Sequence, residues 1–320
     1  MNLHQLLAAL TYGTDVRFDA NETAFLERQL THVRSKVHEV EYADLMARAF
    51  VPLATDIPAS ADTYVFPVLD RVGEARVISA KGKDIPRVDV SLTEKTGKVY
   101  TVADAYGYDL YELQNAARVG VPLTQWKPSV AREACERKVD EMLAFGSPAD
   151  QQGLDITGMI NNAAVEAAGI ANLTHWVQGT TTAQTIVDEL HAFVNAIPVA
   201  TLQKFIPNTL ILPPSRFVIA ATTTFVETDK TALRSFLDNN PYITSVAQWH
   251  RLEDAGAGGL DRAITYKRDP MVLEGVVPQE FQQLPPQAQG LEMVTNCTMR
   301  AGGVKVYQPA AMAYGDFADS

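Results

Sequence analysis

Between Asp62 and Tyr108 the chain strings β-favouring runs between glycines, a stretch with too little apolar surface to bury itself. Tyr64, Phe66 and Val68 alternate along it, and Arg76 to Ile78, Val88 to Val90 and Val99 to Val102 follow, punctuated by Gly73, Gly82 and Gly97. The pattern predicts a long two-stranded excursion with a polar tip. A two-stranded hairpin is marginal in water on its own, so it must gain stability by lying on something else. Between Arg71 and Lys98 the basic residues are Arg71, Arg76, Lys81, Lys83, Arg87, Lys95 and Lys98. Glu74, Asp84, Asp89 and Glu94 oppose them, which leaves an excess of positive charge on this segment. The chain as a whole carries a formal charge of −11. A basic excursion on an acidic protein is electrostatically matched to another copy of itself. The plainer alternative is a solvated hairpin whose lysines discourage edge pairing.

After the excursion the period changes from two to 3.6. Asp109 to Val119 and Pro128 to Phe145 read as helices separated by Gly120 and Pro122. In the second, Val130, Ala131, Ala134, Cys135, Val139, Met142 and Leu143 form one apolar stripe. Arg132, Glu133, Glu136, Arg137, Asp140 and Glu141 are expected to face elsewhere, and Gly146 to end the helix. Upstream, residues 21 to 50 read as helix and Val51 to Ser60, with Pro52 and Pro58, as an extended strap. Downstream, Ile186, Val187, Leu190, Phe193, Val194 and Ile197 mark an amphipathic helix stopped by Pro198. Asp188 and Glu189 read there as complements of its dipole. Thr209 to Leu212 reads as a buried strand, Thr228 as the cap of a short helix, and Leu291 to Phe317 as largely β. A β excursion, a long helix, mixed elements and returning strands predict an α+β fold.

Chemistry is hard to place on this chain. There is no GxxxxGK[ST] loop, no GxSxG elbow, and no HExxH or HxxxH pair among the six histidines. Cys135 and Cys297 are too far apart for a metal motif, so a reducing compartment is the default and Cys135 reads as core filler. No catalytic, cofactor-binding or metal-ligating residue is assigned. The start of the chain lacks the basic opening and cleavage site of a signal peptide, and no apolar run reaches membrane-spanning length. The net negative charge argues against wrapping a phosphate backbone.

The order of short strings is more telling than any single one. Glu39-Val40-Glu41-Tyr42 and Phe50-Val51-Pro52 come first, then Asp70-Arg71-Val72-Gly73-Glu74-Ala75. Asp84-Ile85-Pro86-Arg87-Val88-Asp89, Tyr106-Gly107-Tyr108 with Glu112-Leu113, and Gly120-Val121-Pro122-Leu123 follow. Ala131-Arg132, Phe145-Gly146, and Gly302-Gly303 ahead of Pro309-Ala310 complete the set. In this order and spacing the chain resembles the major capsid proteins of tailed bacteriophages with the HK-97 fold.

The resemblance implies an N-terminal arm over residues 1–60 and an extended loop, the E-loop, over 61–108. It implies a peripheral domain over 109–147 and 269–320, with a long spine helix and returning strands, and an axial domain over 148–268. It implies a shell protein and no enzyme, self-assembling through pentamers and hexamers into an icosahedral head around double-stranded DNA. Arg71, Glu74, Arg76, Lys81, Lys83, Asp84, Arg87 and Asp89 of the extended loop are then the expected inter-subunit contacts. The expected partners are other copies of the chain, non-specifically held DNA, a portal, a separate scaffolding protein and a decoration protein. The stretch ahead of the arm helix is too short for a fused scaffold. Self-catalysed Lys–Asn cross-linking is not carried over: Lys81 and Lys83 lie near the expected tip, but no match to the cross-linking lysine, or to its asparagine and glutamate partners, is identified. No membrane and no cofactor are expected; the protein would be made in the bacterial cytoplasm and end in the virion. Two other readings stay open: an encapsulin-type compartment around a cargo enzyme, and a soluble enzyme with dispersed site residues.

Overall fold

The computed structural model describes residues 44–72, 89–109, 111–112, 118, 123–147, 153–290 and 292–318. Most of the helix expected over 21–50 and the tip of the excursion lie outside these residues, as does most of the helix expected over 109–119. Leu45–Ser320 forms one compact unit.

That unit opens with a helical turn, α1 (Ala47–Phe50), and an extended strap. Within the strap, Ala54 and Pro52 exchange backbone hydrogen bonds with Gly275 (2.9 and 2.8 Å). The excursion follows as β1 (Thr63–Val72) and β2 (Asp89–Lys98), antiparallel from Thr63 opposite Lys98 to Val72 opposite Asp89. One residue later β2 continues as β3 (Tyr100–Asp109), and the long helix α2 (Leu123–Phe145) comes next. A mixed segment then supplies α3 (Ala163–Glu166), β4 (Ile170–Leu173), α4 (Ala183–Ala200) and β5 (Thr209–Leu212). It continues with α5 (Pro214–Thr222), α6 (Ala232–Asn239), β6 (Ser245–Gln248) and β7 (Arg262–Tyr266). The remaining strands are β8 (Leu273–Val276), β9 (Gln279–Gln283), β10 (Gln287–Gln289), β11 (Glu292–Ala301), β12 (Gly303–Val306) and β13 (Met312–Phe317).

Two sheets organise the body. In one, β11 pairs along its whole length with β3 on one side and with β9 and β10 on the other. The other has the order β4-β13-β7-β5-β6 and mixes parallel and antiparallel pairs. Every residue of β5 and β7 in this second sheet is buried, because both of its faces are covered. Leu210, Leu212 and Ala263 point into a core with Leu190, Phe193 and Phe236 of α4 and α6. Ile211, Ile264 and Tyr266 point the other way, into a core with Cys135, Val139 and Leu143 of α2. The long helix and the five-stranded sheet therefore share one core.

Several expectations need correcting. The long helix starts at Leu123, ahead of Pro128, which sits inside it without an N–H to donate. Lys127 holds the turn before the proline, donating to the Gly107 carbonyl (2.7 Å) and Glu112 (2.6 Å). Val130 and Ala134 of the expected stripe are exposed, whereas Asp140, expected outside, is 2% exposed. Pro198 does not stop α4, which runs on to Ala200; Thr201 closes the last turn with its N–H and hydroxyl on the Ile197 carbonyl (3.0 and 2.7 Å). Thr231, not Thr228, caps the short helix α6, its hydroxyl accepting from the Arg234 N–H. Because α4 begins at Ala183, Glu189 lies beyond its first turn; its carboxylate accepts from Trp176 Nε1 (2.8 Å) and Thr174 Oγ1 (2.6 Å). Gly146 does end α2, at φ +80°, where a Cβ would strike the Ile156 carbonyl at 2.5 Å.

Candidate functional site

The hairpin β1–β2 is the part of the described chain least supported by its own fold. It forms a two-stranded sheet by itself, with Val65 (54% exposed) and Leu92 (61% exposed) open to solvent. Ten paired residues at ~3.4 Å each make an arm of roughly 30 Å. Its base is anchored. Tyr64 lies over Gly97, where an added Cβ would meet the ring at 2.3 Å, and Phe66 packs edge-on against Tyr307 (5.0 Å between centroids). Tyr307 donates to Glu274 on β8 (3.0 Å). Arg300 of β11 clamps the approach to β1, donating to the Ala59 carbonyl (2.6 Å) and to the Asp62 carboxylate. Burial, with the neighbouring Tyr307 and Glu274, pushes the Tyr64 phenol well above its ordinary range. The Tyr307 phenol is raised as well, by burial first and then by its bond to Glu274.

Of the expected contact residues, Arg71 and Asp89 lie on the backbone of this hairpin, Arg71 opposite Val90 and Asp89 opposite Val72. Glu74, Arg76, Lys81, Lys83, Asp84 and Arg87 lie outside the described residues.

The body itself is tied together through groups that sequence reasoning passed over. Asp140 of α2 accepts from the N–H of Ala47 at the start of α1 (2.8 Å) and from Arg251 (2.7 Å). One buried carboxylate thus ties the long helix to two distant segments. Arg262, 1% exposed, donates twice to Asp316 (2.7 and 3.0 Å), and also to Glu166 and the Ile160 carbonyl (2.8 Å each). Desolvation opposes its charge, but the bonds it donates to Asp316 and Glu166 outweigh it and the guanidinium is held above its ordinary range. A signal existed for both residues. Asp140 flanks the apolar stripe three residues before Leu143, and Arg262 opens a strand that is otherwise fully core-like.

Little in the body suits catalysis. Burial pushes the Cys135 thiol up to about 11 and raises that of Cys297, so both are protonated and unreactive at neutral pH. A cleft of about 760 Å³ between segments 178–184 and 222–228 is rich in threonines and offers Glu227 as its one titratable lining group. Among the described residues no group of three His, Cys, Asp or Glu could hold a metal ion, and no helix is long and apolar enough to cross a membrane.

The described residues extend a long two-stranded arm with exposed apolar side chains from a compact body. Comparison with solved structures finds that architecture in phage capsids. The capsid of Myoviridae phage XM1 superposes with a TM-score of 0.78 at 15% identity, over 95% of this chain and 100% of that one. A structure from Gordonia phage Cozz gives 0.65 at 14% identity, over 97% and 98%. The capsid of a native GTA particle gives 0.59 at 12% identity, over 97% and 99%. The fold is thus the HK-97-like fold of tailed-phage capsids. The sequence profile of the major capsid protein family matches residues 73–317, and the chain belongs to that family. It is a structural protein of the virion shell and not an enzyme. Among curated protein sequences there is no significant match.

Proposed function

We propose that the chain builds the icosahedral head of a tailed phage, assembling through pentamers and hexamers around double-stranded DNA. The observation that carries this reading is the hairpin: a ten-residue ladder open to solvent on exposed Val65 and Leu92, on a chain of the capsid family. On this reading residues 1–60 form the arm and 61–108 the E-loop. Residues 109–147 with 269–320 form the peripheral domain, and 148–268 the axial domain. The E-loop lies over the adjacent subunit, and Arg71, Glu74, Arg76, Lys81, Lys83, Asp84, Arg87 and Asp89 make the docking contacts. Its excess of positive charge meets a body that is negative on balance, which favours correct encounter and register more than raw affinity. A separate scaffolding protein, a portal and a decoration protein complete the set of partners. Net negative charge suits a wall that must not hold packaged DNA tightly.

Negative-stain microscopy with light-scattering mass on the purified protein tests the reading. Closed shells, or rings of five or six, are expected, alone or with co-expressed scaffold. A monomer or dimer under both conditions overturns it. Replacing Arg71, Arg76 and Arg87 together with alanine should leave the subunit folded and lower the yield of shells. Undiminished assembly would remove the electrostatic role of the loop.

A further inference from the structure

Asp89–Asp109 runs as one ribbon, broken as a strand only at Val99, and it changes partner from β1 to β11 at that point. In an antiparallel ladder the N–H and C=O groups of alternate residues face the partner strand and the others face away. Val99 donates to the Asp62 carbonyl (2.9 Å), so odd-numbered residues of β2 face β1 and even-numbered ones face away. Pro67, opposite Glu94, then directs its missing N–H outward, which blocks the free edge of β1 to strand addition. The free edge of β2 has no such block at Leu92, Glu94 and Thr96.

In β3 the sides exchange. Lys127 takes the Gly107 carbonyl, Ala105 donates to the side chain of Asp104 (2.8 Å), and Asn296 opposite Ala105 turns its carbonyl away to Leu284 (2.8 Å). Odd-numbered residues of β3 therefore face away from β11, and Thr101 and Ala103, both exposed, present an open edge. Beside that edge runs a groove of about 460 Å³. Five consecutive residues, Tyr100 to Asp104, line it, as they do when a strand is approached from its edge. Ala134, Met142 and Leu154 form part of its far wall.

We propose that the open edge of β3 accepts the open edge of β2 from a second copy of this chain, with Leu92 entering the groove. This rests on the capsid reading above and specifies which strands meet. The alternation places the two open edges on opposite sides of one ribbon, so the contact is head-to-tail. Contacts of that kind close into rings when the rotation allows. Among the described residues of the hairpin, β2 offers the one edge without a proline, and this selects the occupant.

The test uses three proline variants of the full chain, each at a position whose N–H faces outward: Ala103→Pro, Leu92→Pro and, as control on the blocked edge, Val65→Pro. The first two should reduce shell yield by about tenfold or more with the thermal melt unchanged, and the control should assemble normally. In wild-type shells the amides of Thr101 and Ala103 should exchange about a hundredfold more slowly than in unassembled subunits. Normal shells from Ala103→Pro or Leu92→Pro overturn the proposal, as does a Val65→Pro variant as defective as Leu92→Pro. If a variant misfolds, exchange in the wild-type shell decides. Shells with unprotected amides sink the edge contact alone. A wild-type chain that forms no shells, even with scaffold, sinks the capsid reading and this proposal with it.

Discussion

The hairpin β1–β2 and the five-stranded sheet are both β structure, but their strands are held in opposite ways. In the sheet, β5 and β7 are buried at every position and each face serves a different core. In the hairpin, side chains such as Val65 and Leu92 meet water, and the packing seen among the described residues involves Tyr64, Gly97, Phe66 and Tyr307 at the base. The first region gets its stability within the subunit. On the proposed reading, the second leaves its apolar surface for a neighbour. The same kind of substitution should therefore act on folding in one region and on assembly in the other.

The largest expected effect comes from alkali, which probes the buried sheet. Burial raises the phenols of Tyr266 and Tyr314, both 0% exposed, well above their ordinary value near 10. Below pH 10 both states are protonated and the contribution is whole. Above it only the unfolded chain ionises, and stability falls as pH rises. The loss is roughly 1.4 kcal/mol per tyrosine per pH unit, or about 5 kcal/mol for the pair at pH 12. Tyrosinate absorbance and circular dichroism should therefore change together; phenols that titrate near pH 10 in a folded protein would refute this.

Arg262→Met comes next. It strands Asp316 beside Glu166 and should cost about 3–5 kcal/mol in urea unfolding. Leu212→Ala, in the same sheet, should cost about 3 kcal/mol by the same measurement. Leu92→Ala should move stability by less than about 0.5 kcal/mol while lowering shell yield. If it unfolds the subunit instead, the contrast between the two regions fails. The smallest effect is Arg234→Gln, which breaks an exposed pair with Asp238 at 3.2 Å and should cost about 0.3–0.5 kcal/mol.

Much of this contrast was legible before any coordinates. The alternation of Tyr64, Phe66 and Val68 marked β1. The stripe from Ile186 to Ile197 marked α4, all six of its apolar positions are buried, and Cys135 reads correctly as core. The misreadings share a cause. Pro128 and Pro198 read as boundaries because local chemistry disfavours them, yet Lys127 reaches back to the Gly107 carbonyl and Thr201 closes its own turn on the Ile197 carbonyl, so both helices run through. Val130 and Ala134 read as core because period alone cannot say how wide a helix face is covered. Asp140 reads as an outward-facing charge, and Arg262 draws no reading at all, because their partners lie 93 to 111 and 54 to 102 residues away.

The sequence by itself determined the local order of helices and strands, the long hairpin, the absence of a recognisable catalytic motif and, through its ordered short strings, the capsid family. These follow from periodicity, turn residues and spacing, which act between near neighbours along the chain. Only the tertiary structure decided that one sheet is buried on both faces, that a single carboxylate ties the long helix to distant segments, and that the ribbon from β2 to β3 has an open edge on each side. Those properties depend on which strand lies beside which. Burial and hydrogen-bond pairing settle that over the whole fold, across separations where local propensity carries no information.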